Sequence, residues 1–238
     1  MKGLELARGF WEDLLRPALE REAPELTDRI AAGLCGAGSD CLGYDDEVSR
    51  DHAFAAGCMV YVSESESRET VFRLSAIYDR LGREYRGFPT EHRSRQGDGR
   101  YGVKTIEGFF RPLTGTDGAP ESAMAWLRIP AHYLAETCAG EVFFDGPGEF
   151  SRRREAVRTG MPEDVRLKKL AAAAALMAQS GSTTTRGACV TERRPRRGWR
   201  PVNSSAARWR WSSCSTASTC PTTNGHSARW AIWSGSPS

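Results

Sequence analysis

Long hydrophobic runs are missing from this 238-residue chain: nowhere do eighteen or more apolar residues follow one another. A transmembrane helix is therefore not expected, and neither is a membrane partner. Paired cysteine motifs are missing too. The seven cysteines (Cys35, Cys41, Cys58, Cys138, Cys189, Cys214 and Cys220) are odd in number and contain no Cys-x-x-Cys pair. That argues against a disulfide framework or a zinc ribbon and makes Cys35, Cys58 and Cys138 buried reduced thiols. The beginning, Met1-Lys2 and then an amphipathic stretch containing acids, lacks the apolar core of a secretory leader and the acid-poor character of a transit peptide. The expected location is the cytoplasm. No internal repeat is visible.

A second set of absences is confined to one end. Residues 182–238 contain no Lys, Asp, Leu, Phe or Tyr. They hold nine Arg against one Glu, five of the seven Trp, eleven Ser and eight Thr. Residues 1–181 have the opposite balance, 24 basic against 29 acidic side chains. An Arg-rich stretch with aromatics is one kind of nucleic-acid-binding arm. However, Arg, Ser, Thr, Pro, Ala, Gly, Trp and Cys are also what a shifted reading frame yields from a GC-rich gene. Synonymous codons across Ser182–Thr191 and Ser215–Arg229 permit a shifted reading that restores Tyr, Lys, Phe and Met. The composition therefore predicts an out-of-frame tail from about Gly181–Ser182, without a selected fold, and makes nucleic acid an unlikely partner.

The remaining sequence reads as mixed α/β. Leu4, Ala7, Phe10, Trp11, Leu14, Leu15 and Ala18 repeat at helical spacing over 4–22, with a bend or break expected at Pro17. Ile30–Leu34 and Met59–Val62 read as buried strands, with 37–50 as a loop between them. A helix is predicted over 68–82, a surface turn over 92–100 and a strand over Tyr101–Ile106. Pro120 suits the first position of a helix that Pro130 kinks or divides. Glu141–Phe144 reads as a strand ending at Asp145-Gly146, and Pro162 opens a last helix through Met177. The order, helix–strand–loop–strand–helix–strand–helix–strand–helix, predicts an α/β (α+β) fold with a small mixed sheet flanked by helices.

The stretch that carries chemistry is Gly33-Leu34-Cys35-Gly36-Ala37-Gly38-Ser39, followed by Ser49-Arg50-Asp51-His52-Ala53-Phe54. A small-residue turn after a buried strand lets main-chain N–H groups approach a phosphate closely. The Ser39 hydroxyl can add a hydrogen bond. A carboxylate at Asp51, opening the next strand, can hold a divalent cation beside that phosphate, because Mg²⁺ takes carboxylate and phosphate oxygens together. Asp45-Asp46-Glu47 reads more simply as a solvated acidic loop.

Gly38-Ser39, eleven residues and then Asp51 resembles the signature of the nucleotidyltransferase superfamily, which includes DNA polymerase beta and the kanamycin nucleotidyltransferases. Several longer segments resemble an uncharacterised bacterial branch of it, domain of unknown function 4037. They are 38–52, Trp126–Pro130, Gly140–Asp145 and Pro162–Leu170. The resemblance implies a nucleotidyltransferase-like domain over 1–160, the start of a truncated helical domain over 161–181, and the out-of-frame tail over 182–238. It implies Mg²⁺-dependent transfer of a nucleoside monophosphate from a nucleoside triphosphate to an unknown acceptor. Gly38 and Ser39 would grip the triphosphate and Asp51 would ligate the metal. A third carboxylate, from Asp145 or Glu107, would complete the catalytic set. One departure matters. The signature wants a second carboxylate two residues after Asp51, and this chain has Ala53 there. Catalysis is therefore expected to be impaired, and a non-catalytic nucleotide-binding or interaction role on the same fold is the alternative.

Overall fold

The computed structural model describes residues 2–45, 55–90 and 101–190, with side chains as far as residue 179. Helix α1 (Gly3–Phe10) runs without interruption through a π-helical stretch (Trp11–Leu15) into α2 (Arg16–Glu22). The expected disturbance at Pro17 takes this form. A proline has no N–H to donate, and its ring would clash with the carbonyl four residues back. A wider turn, with the Arg16 N–H reaching Trp11 O, relieves both problems without ending the helix. Pro24 opens the short α3 (Pro24–Thr27).

The central sheet has four strands: β1 (Ile30–Cys35), β2 (Met59–Val62), β5 (Gly102–Thr105) and β6 (Gly140–Asp145). Their order is β5-β2-β1-β6, with β2 and β5 parallel and the other two pairs antiparallel. Alternation along the strands divides the core in two. Ile30, Ala32, Leu34, Val60 and Val62 pack against α1–α3 and α4 (Arg68–Asp79), around Phe10, Trp11 and Tyr78. Ala31, Met59 and Tyr61 face the other way, against α5 (Ile106–Thr114), α6 (Ala123–Arg128), α7 (Ala131–Cys138) and α8 (Glu149–Thr159). There Tyr61 stacks on Phe150 with centroids 4.1 Å apart, and Phe109 and Phe110 close the aromatic cluster. The fold is thus a mixed sheet between two helical layers.

Local chemistry explains the boundaries. Ser67 caps α4 by accepting from the Thr70 N–H, and Thr105 caps α5 by accepting from the Gly108 N–H. Pro120 does not start a helix. Ser122 accepts from the Ala125 N–H, and that cap sets the beginning of α6 three residues later than expected. Pro130 does divide the stretch, into α6 and α7. A two-stranded hairpin, β3 (Glu84–Tyr85) and β4 (Phe88–Pro89), docks on the π-helical stretch. Tyr85 and Arg86 both donate to the Asp13 carboxylate there.

The last helix, α9 (Glu163–Val190), does not stop at Gly181 but continues through Ser182 to Val190. The expectation of an irregular chain from residue 182 is therefore not met over 182–190, and residues 191–238 lie outside the described part. Among the described residues, no helix is long and apolar enough to cross a membrane.

Candidate functional site

The Gly-Ser turn leaves the C-terminal end of β1, one of the two central strands. Gly36 and Gly38 both take positive φ, 108° and 130°. L side chains rarely adopt such values, so the glycines are what allow the turn. The chain then coils back on itself: Leu42 N–H donates to Gly38 O at 3.1 Å and Tyr44 N–H to Ser39 O at 2.6 Å. Ser39 is half-buried. Its hydroxyl makes no hydrogen bond to another described residue, whereas most neighbouring polar groups are engaged.

The turn is held from two sides. On the α1 side, Asp45 accepts from the Gly3 N–H at 2.7 Å. Asp40, 5% exposed, accepts from the Cys41 N–H at 2.8 Å and packs so closely on Gly3 that a side chain there would collide with it. On the other side, the Gly36 N–H donates to Ala139 O at 3.4 Å, and the Gly140 N–H donates to Cys41 O at 2.9 Å. Gly140 has φ 80°, and a Cβ there would fall well inside contact distance of Leu34 O and 2.8 Å from Cys35 Cα. The start of β6 thus reaches β1 only because position 140 carries no side chain.

Thiols gather at the same end of the sheet. Burial pushes the Cys35 and Cys138 thiols up to about 11 and raises Cys58 further, so these are protonated, unreactive groups at neutral pH. Cys58 and Cys138 match their reading as buried reduced thiols, and Cys35 is only partly buried. Tyr61 is fully buried beside them, and burial raises its pKa.

The sequence-derived site residues do not all meet here. Gly38 and Ser39 form the turn. Asp51, with Asp46, Glu47, His52 and Ala53, lies outside the described residues. Asp145 does not approach the turn. It pairs with Ala31, while the turn follows Cys35, so about 13 Å of strand separates them at ~3.3 Å per residue. Its Oδ2 accepts from the Ser151 N–H at 2.7 Å and caps α8, and its Oδ1 is buried with no partner among the described residues. Glu107, after β5, is at that far end as well. It accepts from the Glu64 N–H at 2.9 Å and from Arg153 at 2.8 Å. The expectation that either supplies a third carboxylate beside Ser39 is corrected: β5 and β6 both end away from the turn. Lys169 donates to Leu127 O and Ile129 O at the C-terminal end of α6.

For Mg²⁺, the described residues hold no metal centre. Among them, no three His, Cys, Asp or Glu side chains stand together as a ligand set.

The sequence reading missed Arg154. On α8, a helix it did not identify, Arg154 donates to four consecutive main-chain carbonyls, Thr137 to Gly140. The run Arg152-Arg153-Arg154 looks like an ordinary solvated charge run, and nothing in its composition shows that one member turns inward.

Residues 126–209 match the model of a family described as a domain of unknown function (DUF4037). The match covers α7, β6, α8 and α9 and does not include the Gly38–Ser39 turn. It runs on past Gly181, as α9 does, so neither marks a boundary there. No curated protein matches the chain. No solved structure matches it either.

Proposed function

We propose that the chain is a nucleotidyltransferase-like protein that binds a nucleoside triphosphate at the Gly36–Ser39 turn. The observation that carries this reading is a turn at the end of a central strand, opened by two glycines of positive φ, with a serine hydroxyl left without a described partner. Such a turn presents main-chain N–H groups and one hydroxyl to an anion. Asp51 would hold Mg²⁺, completed by phosphate oxygens and water, and the metal would orient the polyphosphate and offset its charge. In the family chemistry an acceptor oxygen attacks the α-phosphorus. The bond to the β-phosphate breaks, pyrophosphate leaves, and the acceptor's proton passes to a base. Ala53 favours a second reading, nucleotide binding with little transfer, because a single strand carboxylate makes a poor two-cation site.

Calorimetric titration of the full chain with ATP, with and without Mg²⁺, tests the binding. Ser39→Ala should weaken ATP about 10- to 100-fold, the range for a lost hydrogen bond to a charged group. Asp51→Asn should remove the Mg²⁺ dependence. Absence of ATP binding by the folded chain at millimolar nucleotide would refute the proposal. Ala53→Asp separates the two readings: pyrophosphate release that rises above the native chain supports transfer, and an unchanged rate supports binding alone.

A further inference from the structure

We propose that Arg154 is the positioning residue of the Gly36–Ser39 turn, holding its flank through the main chain and bringing to it a positive charge that no described carboxylate bonds. The proposal deepens the nucleotide-binding reading and rests on it for the ligand. The Arg154 Nε donates to Thr137 O at 3.3 Å. Its Nη2 donates to Cys138 O at 2.6 Å, Ala139 O at 3.0 Å and Gly140 O at 2.7 Å. A helix leaves its last carbonyls without partners, and a cation at that end is favoured. That alone would make Arg154 a cap for α7.

The segment it grips does more than end a helix. Ala139 O accepts from Arg154 on one side and from the Gly36 N–H on the other, and the Gly140 N–H reaches Cys41 O. Gly36 lies just before Gly38-Ser39 and Cys41 just after, so two of the four residues under the guanidinium, Ala139 and Gly140, clasp both shoulders of the turn. The guanidinium serves Thr137 O through Nε and the other three carbonyls through Nη2, whereas a lysine presents one compact point charge. The other arginines of α8 with ion pairs have carboxylate partners: Arg153 pairs with Glu107 and Glu149, and Arg158 with Glu155. All four of the Arg154 hydrogen bonds go to carbonyls, so its charge is not cancelled by a bonded carboxylate. Burial raises the Cys35 thiol, Arg154 pulls it down and Glu141 opposes Arg154, so the guanidinium charge is felt, partly offset, at the last residue of β1. A polyphosphate in the turn would meet a positive potential from below as well as N–H groups in front.

The test uses the full chain with Arg154→Met and Arg154→Lys. Amide hydrogen exchange is read at Gly36 and Gly140, with Val60 and Val62 as controls in the sheet, and ATP affinity with Mg²⁺ is read by calorimetry. Arg154→Met should speed exchange at Gly36 and Gly140 at least tenfold, leave Val60 and Val62 unchanged, and weaken ATP at least tenfold. Arg154→Lys should fall between it and the native chain on both measures, and carries the comparison should the methionine variant not fold. Unchanged protection of Gly36 and Gly140 would overturn the proposal. Faster exchange with an unchanged ATP dissociation constant would also overturn it, leaving a helix cap and nothing more. If the native chain binds no ATP, the nucleotide reading fails, while the exchange comparison still decides whether Arg154 holds the turn.

Discussion

Replacing Gly140 with alanine should be among the most costly single-methyl additions in the molecule. Two terms contribute. Alanine at φ 80° pays the left-handed penalty, about 1–2 kcal/mol. The new Cβ would also press into Leu34 O and lie 2.8 Å from Cys35 Cα, both main-chain atoms that cannot rotate away. The start of β6 must then part from β1. The hydrogen bonds Gly140 N–H to Cys41 O and Gly36 N–H to Ala139 O would be lost or stretched, at about 1 kcal/mol each. The sum is about 3–4 kcal/mol, a large share of a domain margin of about 5–15 kcal/mol. Gly148→Ala is the control. Its φ is 69°, yet a Cβ there would meet nothing within 4 Å, so only the conformational term of about 1–2 kcal/mol applies. Urea unfolding followed by far-ultraviolet circular dichroism measures both. Equal losses in the two variants, or a loss below about 1 kcal/mol for Gly140→Ala, would refute the close-approach argument.

Asp145→Ala should cost about 1 kcal/mol through the lost cap on Ser151 and leave ATP affinity unchanged; a tenfold loss of affinity at unaltered stability would return Asp145 to the site. The hydrogen bond from Tyr85, opposed in part by desolvation and reinforced by Arg86, lowers the Asp13 carboxyl below its ordinary 3.8. A depressed pKa stabilises the fold above the ordinary value and loses that contribution as pH falls through the folded one. Tyr85→Phe should therefore move the Asp13 titration, followed by NMR, back toward 3.8; an unmoved curve would contradict the contact. The tail predicts a feature of the gene: the shifted frame downstream of codon 181 should encode an uninterrupted protein-like sequence, and a stop codon early in that frame would end the frameshift explanation of residues 182–238.

The sheet was largely legible, and the reasons are local. Met59–Val62 is an unbroken β-prone run, and Ile30–Leu34 is apolar up to a glycine turn, so each strand could be read within a residue or so of its limits. Helix α8 was not legible because Glu149–Thr159 is dominated by charge and buries little beyond Phe150 and Val157. The hairpin at Arg86-Gly87 was missed because its strands are two residues each and its stability comes from Asp13, far away in sequence. At the site, the Gly38-Ser39 turn followed from residue type. Asp145 was misassigned because sequence order does not reveal at which end of a sheet a strand stops. Arg154 grips carbonyls of the segment before its own helix, and Ala139 and Gly140 in that segment meet Gly36 and Cys35 more than a hundred residues away, which no spacing rule reaches.

The division of the core has a consequence for synthesis. One helical layer is encoded before residue 80 and the other only after residue 105. A growing polypeptide therefore leaves the ribosome with the Ala31, Met59 and Tyr61 side of its first two strands bare, and Phe150 must emerge before Tyr61 gains its stacking partner. Force profiles on arrested nascent chains should show the main pull after α8 has cleared the exit tunnel. A pull of equal size once only β5 is out would mean that the first layer folds alone.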